Sequence, residues 1–516
     1  MLQFTVSGSV TSTCLVGLVV VLLAHWMIQK WKFNYPPGPP GLPLIGNALQ
    51  LSSSFAIGYI FFNRFLELNG LIFHKQAFEW SKKYGPVITV RAGPTHMVIV
   101  NTIDTALEVL VQKSTDFAGR MLTPSLDLLT YGGKDIICST YNSTWKIHRK
   151  IATKALRHYM QGEALQLRIH DAMETAFVEV DKVKGAFDPA EYINYIVGNI
   201  LTGLCFGGKY NFQDKEVHYM LEKEDIFLHT IGFGSIEDFI PGLRYVYKSD
   251  ITKFLEEFTK EVFDFYFSKK LQEAKETFDK DNVRHFTDTL ILARKEAEAE
   301  EGANVSVFTD EHLIQTLGDI FFAGIDTTRY TLKGAILHMV AFPDIQEKVQ
   351  KEIDMVVGKD RLPGIDDRPN LSYTEAVLYE SMRLSTVLPL GVQHMTICDT
   401  EVGGYKIPKG TEVCINHWAL HNDPDAWEEV ERFIPERYLD ENGKLGPTPK
   451  SWLPFSAGKR VCLGEFVAKP ELHLIFASLM QRFKWKMVSG KCPNMEQTGS
   501  FALEYLPYKV IVEKRT

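Results

Sequence analysis

Phe455 to Gly464 reads FSAGKRVCLG. The stretch sets one cysteine, Cys462, behind Gly458, Lys459 and Arg460 and two positions before Gly464. The chain has seven cysteines in all, at 14, 138, 205, 398, 414, 462 and 492. Their number is odd and no CxxC pair occurs, which argues against a disulfide framework or a zinc site. A cysteine that ligates a metal as thiolate needs hydrogen-bond donors and positive charge nearby to lower its pKa, and glycines that let its backbone fold close to the metal. FSAGKRVCLG supplies all of these.

Composition narrows the setting. With 516 residues, 45% hydrophobic and 12% aromatic, the chain can bury a large core, and no Ser/Gly-rich linker divides it, so one large domain is expected. A net charge of -8 and a pI near 6.0 give no global case for nucleic-acid binding.

Composition shifts most at the N-terminus. Ser9 to Ile28, SVTSTCLVGLVVVLLAHWMI, carries no formal charge and as a helix would be about 30 Å long, enough to cross a bilayer. Lys30 and Lys32 follow it and no Lys or Arg precedes it, so the positive-inside rule puts the rest of the chain in the cytosol. A cleaved signal peptide would want a basic region ahead of the apolar run. The expected organisation is an anchor over 1–31, a proline-rich spacer over 32–47 containing PPGPPGLPLIG, and a catalytic domain over 48–516. Between Leu51 and Phe73 the apolar FAIGYIFFNRFLELNGLIF fits a second membrane-contacting segment or an insertion.

Beyond the spacer the pattern is mainly helical, with short strands at VITVRAG and HMVIV. ARKEAEAEEGANVSV (Ala293 to Val307) reads as an acidic connector, a solvated face or loop. Thr309 to Phe342 runs without proline until Pro343, and as a helix would be about 50 Å long. It is apolar on most faces around LGDIFFAGIDTT, so Asp326 is costly there unless paired with an arginine or used. Ala323 and Gly324 precede Asp326 and Thr327, and Gly324 is expected to weaken the helix so that it can open. A hydroxyl beside a buried acid is a proton-delivery pair. A second helix, YTEAVLYESMRLS, is expected to start on a Ser372/Glu375 capping box and to pair Glu380 with Arg383 on one face. A third, STWKIHRKIATKALRHY, sets Trp145 and Arg149 four apart, with Lys146, Lys150, Lys154 and Arg157 as a basic stripe.

The conjunction of FxxGxRxCxG, ExxR, FIPERY, WxxxR and AGxDTT, in one order, resembles the cytochrome P-450 family of haem-thiolate monooxygenases and its membrane-anchored microsomal members. The resemblance implies a mainly α fold with small β-sheets, a single large haem domain behind an N-terminal transmembrane helix, and haem b as cofactor. It implies Cys462 as axial iron ligand, with Phe455 packed against its loop. Arg120 of DFAGR, Trp145, Arg149, His394 and Arg460 match holders of the haem propionates. Glu380, Arg383 and Arg437 match a salt-bridged triad bracing the cysteine loop, and Asp326 with Thr327 the acid and alcohol beside the oxygen site. The implied partners are NADPH-cytochrome reductase meeting the basic stripe, cytochrome b5, O2, a lipophilic substrate and the endoplasmic reticulum membrane. DFAGR, GKDI and KGTEVCINHWALHNDP are similar to steroid-hydroxylating members, while related members act on xenobiotic or aromatic substrates. The acidic run LEKEDIF (Leu221 to Phe227) stands where those steroid enzymes carry an asparagine. A haem-thiolate isomerase would keep Cys462 without needing Asp326 and Thr327, and a haem carrier would not need the basic stripe.

Overall fold

The computed structural model describes residues 17, 34–42, 46–47, 50, 73–92, 95–160, 163–231, 235–239, 242–301, 308–490, 493–499 and 501–515. The expected span over Ser9 to Ile28 lies outside these apart from Gly17, as does the Leu51 to Phe73 stretch apart from Phe73. Among the described residues no helix is long and apolar enough to cross a membrane.

Two compact units form, Met1–Met121 with Gln393–Ala419, and Leu122–Val392 with Leu420–Thr516. In the first, α1 (Phe73–Tyr84) leads into β1 (Val87–Ala92) and β2 (Thr95–Val100), the two strands expected from the β-branched runs. They pair antiparallel, and β2 pairs in parallel with β4 (Glu412–Ile415), which pairs antiparallel with the short β3 (His394–Met395). Val98, Ile99 and Val100 are all buried, as expected of a strand covered on both faces. The described part of the proline-rich segment lies along this sheet, with Thr89 N donating to Pro37 O at 3.1 Å and Asn47 N to Arg91 O at 2.7 Å.

The second unit is helical around one central element. The helices that carry the site are α2 (Ser143–Met160), α3 (Ala190–Phe206), α4 (Lys215–Ile231), α5 (Phe286–Glu301), α6 (Asp310–Ala341), α7 (Pro343–Val356), α8 (Ser372–Ser385) and α9 (Glu465–Arg482). Antiparallel β5 (Phe483–Met487) and β6 (Val510–Lys514) close the unit. α6 is 32 residues long, about 48 Å at 1.5 Å per residue. Thr309 starts it through reciprocal bonds with His312, and Pro343, at the first position of α7, ends it.

Three expectations are corrected. α6 runs unbroken through Gly324; a Cβ there would come within 3.1 Å of Leu201 on α3, so the small residue permits close helix packing rather than opening. The start of α8 is not a Ser372/Glu375 box, because Leu371 is its N-cap and makes no side-chain cap. Glu352 of α7 does that work, accepting from Tyr373 N at 2.8 Å, Thr374 N at 2.7 Å and the Thr374 hydroxyl at 2.6 Å. Glu375 is drawn inward instead, bonded to Arg368 and, at 2.7 Å, to His473. Finally, of the two readings of the acidic segment the loop falls and the solvated face holds: it is helical as far as Glu301, with Lys295, Glu298 and Glu300 exposed, its remainder lying outside the described residues.

Candidate active site

The cysteine loop folds back on itself just ahead of α9. Cys462 N donates to Phe455 O at 2.9 Å, and Gly458 takes φ 72°, a left-handed turn that a Cβ disfavours. The N–H groups of Gly464 and Glu465 bond to the thiol, and a Cβ on Gly464 would sit 3.9 Å from the sulfur. Burial pushes the Cys462 thiol up, while the two N–H groups and Arg149 pull it down. The residue keeps an open surface among closely surrounding protein atoms. Two amide donors, one arginine and an accessible thiol are the donor set a thiolate ligand of haem iron requires. The loop fits the group.

Side chains from α2 reach this loop. Arg149 donates to Val461 O, and its guanidinium lies 5.5 Å from the Trp145 ring centre. Trp145 Nε1 donates to Ile136 O at 2.9 Å. Arg460 donates to Ile136 O at 3.3 Å and to Ser139 O at 2.7 Å. In the other unit, Arg120 donates to Gln393 O at 2.7 Å and His394 Nδ1 lies 2.9 Å from Phe117 O. Gly119 and Met395 exchange backbone bonds there, and a Cβ on Gly119 would sit 2.6 Å from Met395 O.

The brace is formed by α8. Glu380 and Arg383, fully buried, make two parallel bonds of 2.8 and 2.9 Å. Arg383 also donates to His421 O at 2.9 Å and Arg432 O at 3.2 Å. Glu380 accepts in addition from Ile434 N at 3.0 Å, Arg437 Nε at 3.3 Å and the Tyr438 hydroxyl at 3.3 Å. Every polar atom of this ion pair therefore has company, which is what makes burial tolerable. The family resemblance pointed to Arg437 but gave no role to Tyr438, one residue on in the same motif, nor to the carbonyls of His421 and Arg432.

On α6 the residues with open surface in an otherwise buried run are Asp319, Ile320, Ala323, Gly324 and Thr327, a stripe at i, i+4, i+8. Thr327 lies on this face, its hydroxyl donating to Ala323 O at 2.8 Å. Asp319 accepts from Ile136 N at 2.7 Å; burial and then Asp135 hold its carboxyl well above the usual range. Asp326 is buried on the adjacent side, its Oδ1 2.6 Å from Arg329 Nη2. The arginine partner weighed from sequence is thus present.

The basic stripe lines an open groove of about 760 Å³ with Tyr141, Trp145 and Lys459. It is partly answered from within the chain: Lys154 lies 3.0 Å from Glu296 and 3.5 Å from Glu300, and Lys150 3.9 Å from Glu300, both acids on α5. Nothing in the expected stripe paired Lys150 and Lys154 with Glu296 and Glu300; the matching four-residue spacing of the two pairs is the signal that could have joined them.

A thiol on a glycine-rich loop before a buried helix, braced by a buried Glu–Arg pair and set in a helical unit around one long helix, defines a haem-thiolate protein. Residues 36–512 match the family described as Cytochrome P450, and the chain belongs to that family. It is 36% identical over 93% of its length, and 91% of the relative's, to a steroid 17-alpha-hydroxylase/17,20 lyase of Ictalurus punctatus. It is 33% identical to a cytochrome P450 1A1 of Chelon auratus, over 94% of this chain and 92% of that one. A solved zebra fish cytochrome P450 structure with progesterone superposes with a TM-score of 0.78 at 33% identity, covering 86% of this chain and all of that one. The protein is a haem-thiolate monooxygenase that holds haem b through a cysteine thiolate and takes electrons from a redox partner.

Proposed function

We propose that Cys462 is the haem ligand and that the chain inserts one oxygen atom from O2 into a lipophilic substrate, with a steroid as the first candidate. The observation that carries this is the Cys462 loop, whose amide donors and arginine would hold a thiolate. Haem bound there supplies the activation of dioxygen. The chain's own residues do the rest. Arg149, Arg460 and Trp145, with Arg120 and His394, are assigned to the propionates, Phe455 to the packing of the loop, and Glu380, Arg383 and Arg437 to its bracing. The open stripe of α6 would face the substrate, Thr327 would orient a proton at its hydroxyl, and Asp326 would supply it.

Steroid chemistry is supported by the names of relatives from Ictalurus punctatus and Gallus gallus and by the progesterone in the zebra fish structure. The 1A1 relative is nearly as similar, 33% against 36%, so a non-steroid lipophile is the second reading. Segment 1–31 would anchor the protein in the endoplasmic reticulum membrane, 32–47 would join it to the catalytic domain over 48–516, and that domain would face the cytosol. NADPH-cytochrome reductase, with cytochrome b5 as second donor, would dock on Lys146, Lys150, Lys154 and Arg157. The test is oxygen uptake by the holoenzyme with reductase and NADPH on adding progesterone. Substrate-dependent uptake with an oxygenated product supports the steroid reading. Uptake only with added polycyclic aromatics supports the second, and none with either overturns both.

A further inference from the structure

Asp326 does not face Arg329 alone. Glu224, on α4, is buried and lies within hydrogen-bonding range of the Asp326 carboxyl. Both groups are short of donors: among the described residues neither Asp326 oxygen, nor Glu224 Oε2, receives a hydrogen bond. The Arg329 guanidinium stands at ion-pair distance from Asp326 without hydrogen-bond alignment, and its aligned bond goes to Asp225. Two buried ionised carboxyls face to face would set acceptor against acceptor and charge against like charge. One proton between them removes both costs and leaves a single buried negative charge for Arg329 to balance.

We propose that Glu224 and Asp326 hold one proton in common, making Glu224 the positioning residue and proton reserve of Asp326. The proposal rests on the role given above to Asp326. In the step toward the open face of α6, the shared proton settles on an Asp326 oxygen and leaves from there. Both carboxyls are then ionised, and a proton returns to the pair through Glu224 from water on the side of Asp225, whose side chain is 51% exposed against 3% for Arg329. The titratable and charged groups acting on Glu224 are Asp326 and Arg329 from α6 and its neighbour Asp225. Burial first, then Asp326, holds Glu224 well above the usual carboxylate range, and burial raises Asp326 as well. A carboxyl pair with one proton is a known way for proteins to keep an acid protonated at neutral pH.

The test is infrared difference spectroscopy on the full-length holoenzyme, in H2O and D2O, comparing wild type with Glu224→Gln and Asp326→Asn. The proposal expects a protonated-carboxyl band that shifts in D2O, is missing in Glu224→Gln and is displaced in Asp326→Asn. A band untouched by Glu224→Gln, or one that Asp326→Asn leaves in place, overturns it, the second result meaning a lone neutral glutamic acid. Should Glu224→Gln fail to retain haem, displacement of the band by Asp326→Asn still decides. Peroxide released per NADPH, followed against pH, gives the second readout. Wild type should leak several-fold more peroxide as pH rises through the titration of the pair, while Glu224→Gln should be high and flat. If the infrared result holds and Asp326→Asn leaks no more than wild type, the pair stands and the proton-supplying role of Asp326 falls.

Discussion

The Arg460 guanidinium lies 4.1 Å from the centre of the Trp145 ring, and both side chains donate to one carbonyl, that of Ile136. Contact with the ring face holds the guanidinium against α2, and the shared acceptor ties the cysteine loop to that helix. Trp145→Phe keeps a ring and loses one bond, at a cost of about 1 kcal/mol. Arg460→Leu loses the cation over the ring and the bonds to Ile136 O and Ser139 O, at about 2–3 kcal/mol. Haem-to-protein ratio after gel filtration should fall modestly in the first and severely in the second.

Glu380 and Arg383 show no exposed side-chain surface, so removing Glu380 leaves the Arg383 charge buried against the carbonyls of His421 and Arg432 with its carboxylate partner gone. Glu380→Ala should cost about 3–5 kcal/mol and yield little soluble holoprotein. Arg437 is 11% exposed and lies 3.3 Å from Glu380, so Arg437→Ala should cost roughly half as much or less. Denaturant unfolding of the two variants gives the order.

Much of this was legible because the chemistry is local. Glu380 three before Arg383 and Trp145 four before Arg149 each set a pair on one helix face, and Cys462 between its glycines stands out through the company of those motifs in one order. What stayed hidden depends on which helix lies against which. Nothing within LEKEDIF says that Glu224 meets Asp326, and nothing near Ser372 says that Glu352 caps its helix. The capping-box pattern misled because Glu375 has stronger partners in Arg368 and His473. Gly324 misled because a helix glycine weakens the backbone in isolation, while here Leu201 packs against it.

Glu471 on α9 is buried, one oxygen receives no hydrogen bond, and burial raises its pKa to about 8 from 4.5. In the unfolded chain this acid ionises near its ordinary value, so between 4.5 and about 8 the unfolded state has lost a proton that the folded state keeps. Stability is therefore fullest below 4.5 and declines as pH rises toward about 8, by up to about 1.4 kcal/mol per pH unit from this group. Urea unfolding at pH values from about 6 to about 8.5 should show a smaller decline in Glu471→Gln than in wild type.

Lys150 and Lys154 are engaged by Glu300 and Glu296, so an acidic donor protein must compete with α5 for them. Reversing Lys146 and Lys150 to Glu should slow reduction by the reductase several-fold, and added salt should slow wild type by screening. Glu296→Gln with Glu300→Gln should speed reduction at low salt. Stopped-flow reduction reads all three, and dithionite reduction should be the same throughout.

The most direct test of the account is the ferrous–carbon monoxide absorption spectrum of the Cys462→Ser holoprotein. With the thiolate gone, the account predicts loss of the red-shifted band that sulfur donation produces, leaving a spectrum typical of a nitrogen- or oxygen-ligated haem. A Cys462→Ser protein that keeps the red-shifted band at full intensity would place the ligand on another cysteine and contradict it.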